Sequence, residues 1–142
     1  MADFAEMAEI AASGLFDGVF YVGQLKEIPG ASFNGLRHFC EDGWKCGLRP
    51  NAFFDARAYL QEHADVARSD LNPLLHYIRH GEREGRRPVP VFNPTWYRAA
   101  YRPPQLALSH FLGNSNAGLV LPCPEGFAFA QAKGLPAGEL PP

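Results

Sequence analysis

The sequence predicts an all-α fold: tandem two-helix repeats of about 38 residues, followed by a Pro/Gly-rich extended C-terminal tail. Three observations carry that expectation. Residues 14–51 superpose on 52–89 at a constant offset of 38 with no gap and ten identities. Helix-cap residues followed by proline, with glycine further on, frame short stretches whose apolar residues recur at helical spacing. The 14 glycines and 13 prolines among 142 residues favour many short elements over a few long ones.

The elements follow in order. A short helix over roughly Asp3 to Ala12 precedes the first unit. Asp17, Asp55 and Asn93 each follow a phenylalanine and suit the N-cap of a unit's first helix, because a short side-chain oxygen accepts from the free amides of the opening turn. From Asp55 the run Ala56 to His63 forms helix readily and turns Phe54, Tyr59 and Leu60 to one side. The second helix begins at Asn72-Pro73, cap then proline, and presents Leu74, Tyr77 and Ile78 on one face up to Gly81, which is expected to supply a left-handed stop. Glu82 to Pro90 is too rich in Gly, Arg and Pro to continue as helix and reads as an extended arm or turn. The paired identities include Tyr21/Tyr59, His38/His76, Gly43/Gly81, Gly47/Gly85 and Arg49/Arg87. A third unit over 90–117 keeps Phe92, Asn93, Tyr97, His110 and Phe111 but lacks the Gly-x-x-x-Gly-x-Arg-Pro ending. Residues 1–117 are therefore one repeat domain, and 118–142, with five prolines and four glycines, a separate tail. Leu119, Val120, Phe127 and Phe129 give that tail apolar anchors for docking on a partner or a sister subunit.

Composition narrows the function. A chain of 142 residues is one domain's worth, and a net charge of −2 lacks the basic excess of a non-specific nucleic-acid binder. Three acids among the first nine residues do not make a secretory signal, and no apolar run approaches the ~20 residues of a membrane span. Cys40, Cys46 and Cys123 are an odd number and read as reduced thiols of a protein made in the cytoplasm.

The string Phe54-Asp55-x-x-x-Tyr59-Leu60, Asp65-Val66, Asn72-Pro-Leu-Leu-His-Tyr-Ile-Arg-His-Gly81-x-x-Glu84-Gly-Arg86-x-Pro-x-Pro90-x-Phe92 resembles a repeat found beside bacterial glycosyltransferases and in other cell-surface polysaccharide proteins, written FDxxYYLxxxPDVxxxGxNPLxHYLxxGxxEGRxPxPxFD. It covers about residues 14–101 and is closest over 53–97; Gly23, Pro29 and everything beyond Pro103 depart from it. The resemblance implies an accessory, non-catalytic role. It also implies kinship with small capsule-binding head spikes of phage-like particles such as gene transfer agents.

No residue set suggests catalysis. His38, His76 and His110 recur at one position, which favours a structural hydrogen bond to a neighbouring turn over a metal or acid–base role. Cys40 and Cys46 stand five residues of chain apart, outside zinc spacing, and no Gly-x-Ser-x-Gly elbow or phosphate loop is present. Glu41/Asp42 and Glu82/Glu84 lie beside predicted helix ends, where solvated or capping roles are expected. Residues 68–102 hold seven arginines and three acids, so the molecule is polarised, with Arg79, Arg83, Arg86 and Arg87 gathered near the arm. Arg49 and Arg87 recur and read as structural. Trp44 stands where the second unit has Glu82, which suggests an exposed aromatic platform for a sugar, with Trp96 as a further candidate.

The expected function is binding or attachment to a bacterial capsular glycan through Trp44, Arg79, Arg83, Arg86 and Trp96, in a multimeric assembly, without cofactor or metal. The competing expectations are a scaffold subunit without ligand and an auxiliary subunit of a glycosyltransferase.

Overall fold

The structure, a computed structural model, describes residues 3–27 and 29–114. Those residues are all-α, with eight helices: α1 Phe4–Ser13, α2 Gly18–Gly23, α3 Gly35–Glu41, α4 Ala56–Glu62, α5 Ala64–Ser69, α6 Pro73–His76, α7 Pro94–Tyr101 and α8 Ala107–Asn114. A 3-10 turn at Gly43–Cys46 follows α3, and a π turn at Tyr77–Gly81 continues α6. The tail with Leu119, Val120, Phe127 and Phe129 lies outside the described residues. No described helix is long and apolar enough to cross a membrane.

The cap residues behave as their chemistry dictates. Asp17, Asp55 and Asn93 adopt nearly the same extended backbone, with φ of −101°, −101° and −104°. Each side-chain oxygen accepts at 3.0 Å from an amide three residues on, at Phe20, Ala58 and Trp96. Asp3 caps α1 in the same manner, and Asn34 and Asn72 cap α3 and α6. Consecutive segments are stitched by one recurring bond: the Asp17 amide donates to the Pro50 carbonyl at 2.8 Å, and the Asp55 amide to the Pro88 carbonyl at 3.0 Å.

The core is a column of rings and branched side chains. Tyr21, Phe39, Phe54, Tyr59, Tyr77, Phe92 and Tyr97 are buried, with Ile10 of α1 and Leu108 and Phe111 of α8 joining them. Phe54 meets Tyr59 at 5.2 Å between ring centroids and Tyr77 at 5.7 Å, while Phe92 meets Tyr97 at 5.4 Å and Phe111 at 5.3 Å. Tilted and edge-on ring pairs of this kind add to plain burial. Of the face expected from Leu74, Tyr77 and Ile78, the first two are buried and Ile78 is half-buried; Leu75 is buried as well.

Two expectations about the chain path need correction. Gly81 is not a left-handed stop: the left-handed glycines among the described residues are Gly14 at φ 75°, Gly47 at φ 82° and Gly85 at φ 77°. Gly81 serves close approach instead, because a Cβ there would overlap the Tyr59 hydroxyl, as one at Gly43 would overlap that of Tyr21. The second correction is α5, a helical turn within what reads from sequence as a connection. The equivalent segment in the first unit carries Pro29 and Gly30, and its described residues form no helix.

Candidate functional site

The histidines are structural. Tyr21 Oη and His38 Nδ1 are hydrogen-bonded at 2.6 Å, Tyr59 and His76 at 2.9 Å, and Tyr97 and His110 at 2.5 Å. Their partner is the buried tyrosine of the same unit rather than a neighbouring turn. Burial pushes the Tyr21, Tyr59 and Tyr97 phenols well above their ordinary value of 10.0, so each is a neutral hydrogen-bonding group. Burial pushes the Cys40 thiol up to about 11, which keeps it protonated and unreactive. Among the described residues no cluster of His, Cys, Asp or Glu is arranged to hold a metal ion.

The expected sugar platform is not available as read. Trp44 is only 9% exposed, and its indole N–H donates to the Cys40 carbonyl at 3.1 Å. Glu82, whose charge suggests an exposed position for its counterpart Trp44, is itself 2% exposed. The Glu82 carboxylate accepts from the Ala107 amide at the start of α8 at 2.5 Å and from Arg98 at 3.1 Å. It thus caps a helix far along the chain, which no local pattern announces. Trp96 is half-buried, with its ring edge-on to Tyr101 at 6.0 Å.

The arginine cluster is largely committed to protein partners. Arg79 chelates Glu9 of α1 through Nε and Nη2, at 2.9 to 3.2 Å. Arg86 takes both oxygens of Asp65 at 2.9 and 2.8 Å and one of Glu84 at 3.0 Å, and it holds the Asp65 carboxyl well below the usual carboxylate range. Arg83 donates to the Arg79 carbonyl. The four guanidinium groups do not converge on one seat.

A different site emerges beside them. A groove of about 550 Å³ runs between α4 and the 85–90 arm, with Ala58, Gln61 and Glu62 on one wall and Arg87, Pro88 and Pro90 on the other. His63 and Arg86 stand at its margin, and the buried Tyr59 and Val89 close its floor. Burial first and Arg86 second hold His63 below its ordinary value of 6.5, so it is a neutral donor and acceptor at pH 7.

The groove exists because the second unit lacks two ties present in the first. In the first unit Gln24 clamps the arm: its Nε2 donates to the Arg49 carbonyl at 2.6 Å, and the Arg49 amide donates to its Oε1 at 2.9 Å. The position 38 residues on is Glu62, a carboxylate that has no N–H to donate. Arg49 is further held by Asp55 at 2.8 Å, whereas the residue equivalent to Asp55 is the uncharged Asn93. Arg87 consequently has no carboxylate partner among the described residues; its Nη1 donates to the Pro90 carbonyl at 2.9 Å. Its backbone N–H and C=O are likewise unpaired among the described residues. Sequence reasoning set Arg87 aside because it recurs. The signal lay in what does not recur, the exchange of Gln24 for Glu62 and of Asp55 for Asn93.

Comparison with protein-family models, with curated proteins and with solved structures finds no match in any of the three.

Proposed function

We propose that the chain is a non-catalytic attachment protein that recognises a bacterial surface glycan, acting in several copies within a larger assembly such as the spike of a phage-like particle. The observation that carries this reading is the groove between α4 and the arm, where Pro88, Pro90 and the exposed Arg87 face Ala58, Gln61 and Glu62. Pyranose rings present C–H faces and outward hydroxyls, which such a mixed surface receives. The repeat's resemblance to segments of polysaccharide proteins supplies the ligand class. Engagement of His38, His76 and His110 by tyrosines supports binding over turnover. One open groove per subunit gives weak affinity, so firm attachment draws on several copies held together. In this reading Leu119, Val120, Phe127 and Phe129 dock the subunit on its assembly.

The test is retention of the full chain on immobilised capsular polysaccharide of the source cells, together with its mass by light scattering. Retention that Arg87→Ala lowers at least about tenfold is expected, the factor carried by one charge-assisted contact. Retention unchanged by Arg87→Ala, or no retention at all, contradicts the reading.

A scaffold without ligand is the second reading, favoured by Phe4 and Val19, apolar side chains left 79% and 89% exposed. It predicts that deleting 118–142 abolishes assembly while helical content stays nearly intact and no polysaccharide is retained.

A further inference from the structure

We infer that residues 121–124 are the arm of the third unit and dock on α7 of the same chain, with the Pro122 carbonyl on the Asn93 amide, a reading that goes beyond glycan binding and does not rest on it. In the first two units one bond pins the arm at the cap of that unit's first helix. The Asp17 amide donates to the Pro50 carbonyl at 2.8 Å, and the Asp55 amide to the Pro88 carbonyl at 3.0 Å. Asn93 holds the same place in the third unit, with nearly the same backbone and the same side-chain cap on α7. Its N–H has no partner among the described residues. A half-buried backbone amide in that position calls for an acceptor.

The sequence puts one in register. Pro50, Pro88 and Pro122 each stand 12 residues after the recurring histidine, at His38, His76 and His110. The glycines of the intervening turn are not kept at their positions, but the spacing is, and Pro122-Cys-Pro124 repeats the Pro88-Val-Pro90 of the second arm. The starting point is fixed as well, because the Tyr97–His110 bond ties α8 to α7 as the Tyr59–His76 bond ties α6 to α4. From Asn114, the end of α8, to Leu121 is the same length of chain that runs from His80 to Arg87 in the second unit, where the next residue reaches Asp55.

The facing side chains change together. Helix and arm meet at Gln24 and Arg49 in the first unit, and Glu62 stands across the groove from Arg87 in the second. The corresponding pair in the third is Ala100 and Leu121, beside the exposed Ala99 and the half-buried Trp96. An apolar arm thus meets an apolar helix face, and burial of the two favours closure. With Leu121 over Ala100 and Trp96 the third unit keeps no polar groove, and the second unit's groove stays the open one. The repeat domain then runs to Pro124, with Phe127 and Phe129 beyond it.

The experiment uses the full chain, isotopically labelled for NMR. Hydrogen exchange is followed at the Asp17, Asp55 and Asn93 amides, and nuclear Overhauser contacts are sought from the Leu121 methyls to Trp96, Ala99 and Ala100. A mixture of labelled and unlabelled chains tells contacts within one chain from contacts between two. Asn93 is expected to be protected as Asp17 and Asp55 are, with the Leu121 contacts arising within one chain. Leu121→Asp should speed exchange at Asn93 at least about tenfold and leave Asp55 unchanged, whereas Phe127→Asp should leave Asn93 protected. An Asn93 amide that exchanges at the unprotected rate overturns the inference. So do Leu121 contacts that arise only between chains, or Leu121→Asp leaving Asn93 as protected as in the parent. The contacts of the parent chain decide the matter without any variant.

Discussion

The Tyr59 hydroxyl lies 2.9 Å from Nδ1 of His76 and presses on the Cα of Gly81, where any Cβ would overlap the phenolic oxygen. The same three-part contact joins Tyr21, His38 and Gly43 at an offset of 38 residues. A hydroxyl held between an imidazole and a bare Cα explains why the glycine is required at both positions, the start of a 3-10 turn at Gly43 and the end of a π turn at Gly81.

The glycine and the hydroxyl should therefore be energetically coupled. Gly81→Ala alone is expected to cost about 2 kcal/mol through overpacking, and Tyr59→Phe alone about 1 kcal/mol through the lost hydrogen bond. With the phenol oxygen removed, the next ring atom stands 3.4 Å from the new methyl, an accommodating distance. The double variant, measured by urea denaturation, should lie close to Tyr59→Phe and not at the sum.

Glu82 ties the π turn to α8 across a gap of 25 residues. Glu82→Ala leaves the Ala107 amide without its acceptor and Arg98 without its carboxylate partner, and is expected to lower stability by about 2–3 kcal/mol. Glu82→Gln keeps an oxygen for the Ala107 amide and should cost less. Hydrogen exchange at Ala107 reports the difference directly, protected in the parent and exposed in the alanine variant.

Stability should fall at both ends of the pH scale. Burial first and Arg86 second hold His63 and His76 below their ordinary 6.5, so the folded chain binds fewer protons there than the unfolded one. That contribution is complete above about pH 6.5 and is lost as pH drops from there through the lowered native values. The tyrosines act with the opposite sign: burial raises Tyr21, Tyr59 and Tyr97 above 10.0, so their contribution is complete below pH 10 and lost above it. Melting temperatures across pH 5 to 11 should show a plateau between about 7 and 10, with phenolate absorbance delayed until the fold opens.

Asn93→Asp restores the partner that Arg49 has in Asp55. It should raise stability by about 0.5 kcal/mol, the scale of an exposed ion pair, and draw the Arg87 guanidinium away from the groove. Binding of any groove ligand should weaken in step, which a paired thermal and binding measurement would register.

What the sequence disclosed and what it hid divide along the range of the forces involved. Caps at Asp17, Asp55 and Asn93 are local, set by a side chain and an amide three residues on, and were legible. The histidines were legible as structural from recurrence alone, although their tyrosine partners were not. Gly81 could not be told from Gly85 by sequence, because left-handed backbone and close approach both select glycine. Burial of Glu82 depends on Ala107, a contact 25 residues along the chain that its neighbours in sequence do not reveal, and Trp44 was misjudged because its exposure was inferred from that of Glu82. Arg79 and Arg86 looked like a free basic patch because Glu9 and Asp65, which neutralise them, lie 70 and 21 residues away. The groove is encoded in two departures from the repeat, at Glu62 and Asn93, and not in what the units share.

Attachment through this groove is tested by comparing the parent chain and Glu62→Gln, which rebuilds the Gln24 clamp, for retention on capsular polysaccharide, with melting curves taken on the same samples. The parent is expected to be retained and the variant, equally or more stable, is not. Equal retention of the two proteins, each folded, would contradict it.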